Sequence, residues 1–265
     1  MKRLLRSGFL HTGCIAAICF ACLDAHATEL TVHASPIGEY MTQVGSTLES
    51  SPGLMTEILA GALRNEKIQA TMAPESPWRR AQATAKDQPG AVLAILARTP
   101  ERENLWNWLA ITYTDKVYAY TLTNQPTYAS YAELRAKNAR IGVKAGSASE
   151  SLLRGMGAKI EGVTHMEQNF LKLFAERLDV VVLQGMEVFP ALQAAKVRST
   201  VNLNTAISKL TRKALIDLPL WVVTSKLKPE DDANRLKVAL ENFKLTPEYK
   251  AIVRKYEDKQ KFQNF

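Results

Sequence analysis

Short apolar runs that alternate with segments of helical periodicity constrain this chain more than any other feature of its sequence. Ala91 to Ala97 is apolar without a break, as suits a strand buried on both faces. Arg140 to Lys144 and Asp179 to Leu183 read the same way, and Glu29 to Ala34 is a short β-prone run. Leu54, Ile58, Leu59, Ala62 and Leu63 recur at the spacing of one helix face. This alternation predicts an α/β chain of βα units with mostly parallel sheets. Two further stretches, Val117 to Thr123 and Leu218 to Thr224, are extended in character. A second lobe entered by one strand and left by the other accounts for both, with the two C-terminal helices returning to the first lobe. The expected division is 28–119 with 217–265 as lobe 1, and 120–216 as lobe 2.

The helix starts share a device. Ser51-Pro52, Ser76-Pro77, Thr99-Pro100 and Thr246-Pro247 each set a hydroxyl before a proline. The hydroxyl can accept an orphan helix N–H, and proline suits the first helical position. Ser147 to Glu150 reads as a capping box. These signals put Trp78, Arg102 and Ser149 in first turns, near loops that leave strands. In open α/β sheets ligands bind there.

Residues 1–27 read as an address. Lys2, Arg3 and Arg6 precede an apolar run from Phe9 to Leu23, and Ala25-His26-Ala27 offers a small-x-small cleavage pattern. The expectation is a Sec signal peptide cleaved after Ala27, with a retained anchor as the alternative. All 3 cysteines lie inside this segment, so residues 28–265 carry no thiol for a disulfide, a nucleophile or a metal. A chain of that length folds without staples. No later apolar run is long enough to span a bilayer.

The net charge of +8 raises nucleic acid as a partner. The charges are interleaved, however, as in Lys226 to Asp232, and no basic run carries aromatics, so they read as solvated helix faces. Common catalytic signatures are missing. After Ala27 only His33 and His165 remain, far apart, and His165 is expected on an exposed loop. No metalloprotease, nucleophile-elbow or phosphate-loop motif is present. No cofactor or metal is expected.

Several segments carry a family likeness. Ser51-Pro-Gly-Leu-Met-Thr-Glu-Ile-Leu, Glu75-Ser-Pro-Trp-Arg-Arg-Ala and Ala91-Val-Leu-Ala-Ile-Leu-Ala-Arg-Thr-Pro-Glu-Arg-Glu follow one another in the first part of the chain. Ala139-Arg-Ile-Gly-Val-Lys-Ala-Gly-Ser, Arg177-Leu-Asp-Val-Val-Val and Thr246-Pro-Glu-Tyr-Lys-Ala-Ile-Val-Arg-Lys-Tyr complete the series. In order and spacing they resemble amino-acid-type (family 3) solute-binding proteins of ABC importers, over nearly all of residues 28–265. The resemblance implies a two-lobed periplasmic-binding-protein fold of type II, the Venus flytrap, with two hinge strands. It also implies a periplasmic monomer that captures an amino acid or related carboxylate and presents it to a permease.

It implies site residues as well. Arg102 stands where the family's carboxylate-binding arginine stands, and a guanidinium fork suits a carboxylate. The alternative is a surface arginine paired with Glu101 or Glu103. Trp78 and Tyr40 are expected to sandwich the ligand, with Trp78 packed between helix and sheet as the alternative. In the second lobe Ser147 and Ser149 stand at a helix N-terminus that attracts anions. Lys144 either points into the cleft or faces solvent.

Departures from the family matter too. Ile95 and Ala97 occupy positions where amino-acid binders usually carry serine or threonine. Gln184 stands near the usual acidic partner of the ligand ammonium, with Glu187 three residues on. A ligand other than a standard α-amino acid is therefore expected to fit equally well. A dehydratase-like enzyme on the same fold, acting on a carboxylated ring, and a sensory ligand-binding protein are the alternatives to an importer component.

Overall fold

Each apolar run becomes a strand of one curled sheet. The computed structural model describes residues 30–228 and 230–261. The expected signal peptide, its cleavage site and the cysteines lie outside the described residues. In chain order the first part comprises β1 (Leu30–His33), α1 (Leu54–Asn65), β2 (Ala70–Met72), α2 (Trp78–Lys86), β3 (Ala91–Ala97) and β4 (Trp106–Leu122). The middle comprises α3 (Tyr131–Ala136), β5 (Ile141–Lys144), α4 (Ala148–Gly155), β6 (Ile160–Val163), α5 (Glu167–Phe174), β7 (Val180–Gln184), α6 (Gly185–Arg198) and α7 (Asn204–Ile207). It is followed by β8 (Leu210–Ser225), α8 (Glu230–Lys244) and α9 (Pro247–Lys261). No helix among the described residues is long and apolar enough to cross a membrane.

The strand order is β2-β1-β3-β8-β4-β7-β5-β6. Outer strands pair in parallel: β1 with β2 and β3, and β5 with β6 and β7. The antiparallel pairs all involve β4 or β8, the two long central strands. β8 reaches β3 near its C-terminal end, through Leu220 to Thr224. β4 reaches β7 near its own C-terminal end, through Val117 to Tyr120. Two βα half-sheets therefore share one antiparallel ribbon, and these are the two hinge strands of a two-lobed fold. The extended stretches read from the sequence are the C-terminal parts of β4 and β8. Both strands begin earlier, where polar residues such as Asn107, Thr112, Asp115 and Arg212 to Lys213 mask the alternation.

Packing follows this division only in part. A larger buried cluster joins α1, α2, β1 and β3 to α8 and runs on into the middle segment through Leu134, Ile141, Val143, Leu153 and Val180. A separate cluster of Tyr120, Phe170, Leu173, Val181, Leu183 and Leu192 fills the space between β7, α5 and α6. The last two helices do return to the first half. Gly61 of α1 lets the Phe243 ring of α8 approach so closely that a Cβ there would lie 2.2 Å from it. Tyr256 and Lys255 of α9 both bond to Glu57 of α1.

The shared helix-start device mostly fails. Thr246 caps α9, accepting the Tyr249 N–H at 3.2 Å. Ser51 does not cap α1, because its hydroxyl bonds to the Thr47 carbonyl and Gly53 intervenes before Leu54. Ser76 supplies no cap to α2, and Thr99 none to the short 3-10 turn Pro100–Arg102. The Ser147 box forms in altered shape. Ser147 Oγ accepts the Glu150 N–H at 3.1 Å, while the Glu150 carboxylate reaches back to the Gly146 N–H at 2.6 Å.

Candidate functional site

A narrow cavity of about 30 Å³ lies between the half-sheets, room for about one water and not for a ligand until the halves part. From the first half it is lined by Ile37, Trp78, Ile95, Leu96, Ala97, Arg102 and Leu220. From the second it is lined by Lys144, Ser147, Ala148, Gln184 and Glu187. The C-terminal ends of β3, β5 and β7 all open onto it, as expected of parallel α/β sheets. Six of the expected residues, Trp78, Ala97, Arg102, Lys144, Ser147 and Gln184, are thus brought together.

Arg102 is buried at 8% exposure. Its Nη1 donates to the Ala97 carbonyl at 2.9 Å, and its Nη2 crosses to the Gly146 carbonyl at 2.7 Å. It is not a surface arginine paired with Glu101 or Glu103: Glu103 is held by Arg98. Desolvation lowers the Arg102 pKa to about 10, against the opposing charges of Glu101 and Glu150. The side chain stays cationic at neutral pH. Among the described residues it forms no ion pair with a carboxylate. Such a buried cation costs free energy until an anion arrives.

Trp78 lines the cavity and also packs in the larger core cluster. The next turn of α2 grips the second half. Gln82 Nε2 donates to the Gly146 carbonyl at 3.1 Å, and Arg79 pairs with Glu150 at 2.6 Å. Gly146 has a φ of +79°, and a Cβ there would sit 3.1 Å from Gln82 Nε2. A glycine is therefore needed at this crossing. Burial pushes the Glu150 carboxyl up, but the Gly146 N–H, Arg154 and Arg79 outweigh it and hold the pKa below its usual value.

Lys144 is buried and does not face solvent. Its Nζ pairs with Glu187 Oε2 at 2.8 Å. Glu187 is 3% exposed, and its Oε1 has no hydrogen-bond partner among the described residues. Glu187 sits in the first turn of α6. Its distance of three residues from Gln184 was the only sequence signal pointing to it.

Two expected residues stand elsewhere. Tyr40 does not line the cavity. It is wholly buried, with its hydroxyl donated to the Asp115 carboxylate on β4. Asp115 also accepts the Met186 N–H of α6 at 3.1 Å. Burial, aided by Asp115 and Glu187, pushes the Tyr40 pKa well up. Burial likewise raises that of Asp115 against its hydrogen bonds from Tyr40, Met186 and Lys116. Ser149 does not line the cavity either, because its hydroxyl is bonded to the Tyr131 hydroxyl at 2.9 Å. The 3-10 turn Gly38–Tyr40 presses Gly38, at φ +53°, onto the start of α6. The halves therefore touch on both sides of the cavity. His33 is buried and bonded to Gln88, and His165 is exposed. No group of three or more potential metal ligands exists among the described residues.

No family model and no curated protein matches the sequence. Solved structures do. An ancestral arginine-binding protein bound to glutamine superposes with a TM-score of 0.67 at 16% identity, covering 86% of this chain and 97% of that one. The substrate-binding protein of an amino acid ABC transporter gives 0.64 at 12%, covering 86% and 98%. A histidine kinase sensor domain with similarity to periplasmic binding proteins gives 0.70 at 13%, covering 86% and 95%. With its two half-sheets, shared hinge strands and intervening cavity, the chain has the two-lobed fold of periplasmic binding proteins.

Proposed function

We propose that this protein is an exported, periplasmic solute-binding protein that traps a small carboxylate or amino acid between its lobes. The observation that carries this reading is Arg102, a buried cation at the cavity with only carbonyl acceptors. A ligand carboxylate would supply the missing negative charge through two parallel hydrogen bonds. Trp78 would wall the guest, while Lys144, Ser147 and Gln184 would meet it from the second lobe. The lobes would divide as 28–119 with 217–265, and 120–216, a division supported by the change of partner strands along β4 and β8. A ligand touching both lobes favours the closed state because it makes more contacts there.

Delivery to an ABC-importer permease is the role we propose, in line with the transporter protein among the structural relatives. A sensory role is the alternative, in line with the kinase sensor domain. Binding without turnover is proposed as well. Incubation with carboxylated rings such as prephenate, followed by product analysis, tests it, and any turnover would sink it. The direct experiment is a thermal-shift screen of amino acids and small carboxylates on the purified protein, since a ligand of the folded state raises the midpoint. Arg102→Ala should weaken the best hit by at least about 30-fold, from the roughly 2 kcal/mol or more that truncating a buried charge partner costs. Arg102→Lys should restore only part of it, because an ammonium lacks the fork. Unchanged affinity in Arg102→Ala would refute the reading.

A further inference from the structure

The charge pattern of the cavity carries one step more, which rests on the solute-binding reading. We infer that the preferred guest is a small carboxylate whose second recognised group is a neutral hydroxyl rather than an ammonium. Among the described residues three charged side chains line the cavity: Arg102, Lys144 and Glu187. Glu187 is the only carboxylate among the described lining residues, and Lys144 already holds its Oε2 at 2.8 Å. The lining therefore sums to one positive charge, on Arg102.

A monoanion cancels that charge. A zwitterion does not: with its carboxylate on Arg102, its ammonium would be a second cation, beside Lys144, sharing the Glu187 carboxylate. Buried uncompensated charge is expensive. Gln184, at the end of β7, offers an ammonium only a neutral amide oxygen, a far weaker partner than a carboxylate. Two neighbouring carboxylates are engaged elsewhere. Glu150 faces Arg79 and Arg154, and Asp115 faces Tyr40 and the Met186 N–H without lining the cavity.

What remains open is Glu187 Oε1, a buried acceptor with no partner among the described residues. A hydroxyl answers it by donating one hydrogen bond and bringing no charge. An acceptor left unmet in the interior carries a desolvation penalty, so the hydroxyl should be felt in the affinity. The guest's carboxylate would lie on Arg102 and its hydroxyl on Glu187.

Matched ligands separate the two chemistries. Calorimetry on the purified protein, freed of bound solute, would compare lactate, alanine and propionate. A second set is glycolate, glycine and acetate, and a third is phenyllactate, phenylalanine and phenylpropionate, with the chiral members as L-isomers. In the set that fits, the hydroxy acid should bind at least tenfold more tightly than the amino acid, about 1.4 kcal/mol. It should also exceed the unsubstituted acid. Lys144→Met frees Glu187 and should shift the preference at least tenfold toward the amino acid. Should that variant not fold, the wild-type comparison alone remains decisive.

If the amino acid binds best and Arg102→Ala abolishes its binding, the hydroxyl inference is overturned while the carboxylate reading stands. If Arg102→Ala leaves hydroxy-acid binding intact, the carboxylate reading itself fails. If no compound of any set binds at millimolar concentration, both fall.

Discussion

Gly38→Ala is a wedge that should act on closure more than on folding. Gly38 sits in the 3-10 turn at φ +53°, against the first residues of α6. A Cβ built there would lie 2.5 Å from the Met186 carbonyl oxygen and 2.7 Å from Glu187 Cα. Both obstacles are backbone, so neither can rotate aside. Two costs follow, and they separate. The left-handed φ costs an alanine about 1–2 kcal/mol whether the lobes are apart or together. That cost should lower the melting midpoint by about 2–8 °C in a chain of this size. The overlap exists only when the turn meets α6. By analogy with overpacked cores it costs about 1–3 kcal/mol in the closed state alone. Ligand affinity should then fall by about 5- to 150-fold. Calorimetry with the tightest ligand of the screen measures the second cost, and thermal melting the first. Small-angle scattering of the ligand-free variant should show a more extended particle than wild type. A folded Gly38→Ala protein with wild-type affinity and a wild-type scattering curve would refute the idea that this turn closes against α6.

Two further perturbations probe the buried contact beside that turn. Tyr40→Phe keeps the ring and removes the donor to Asp115; urea unfolding should show a loss of about 1.5–3 kcal/mol, the range for hydrogen bonds to charged groups. Asp115 has its pKa raised by burial, so the folded state holds its proton more tightly than the unfolded chain does. Its contribution to stability is therefore full below the ordinary aspartate pKa and is lost as pH rises through the raised one. The stability difference between wild type and Asp115→Asn should fall in that direction from about pH 4 upward. A difference that is flat, or that grows with pH, would contradict the assignment.

Much of the architecture was legible because burial on both faces of a parallel strand leaves an apolar run with little else in it. Ala91 to Ala97 is such a case, and it became β3 with every residue buried. The hinge strands were only half legible. Their other halves carry polar residues that alternate irregularly, as around Asp115 and Arg212. The expected site residues split along a similar line. Arg102 and Trp78 are placed by the chain immediately around them, a strand end and a helix start, and both reach the cavity. Tyr40 does not, because its hydroxyl is committed to Asp115, 75 residues away. Ser149 is lost to Tyr131 for the same kind of reason. Glu187 was visible only as a neighbour of Gln184, and its pairing with Lys144 needed β5 and α6 to be brought together.

The Gly146 carbonyl has a consequence for how tightly any guest can be held. It takes the Arg102 Nη2 and the Gln82 Nε2 at once, so the main chain already occupies one arm of the guanidinium. Under the proposed reading, an arriving carboxylate would not meet an idle guanidinium but would displace a bond already made. The exchange would trim the net gain of capture and leave a ready replacement on departure.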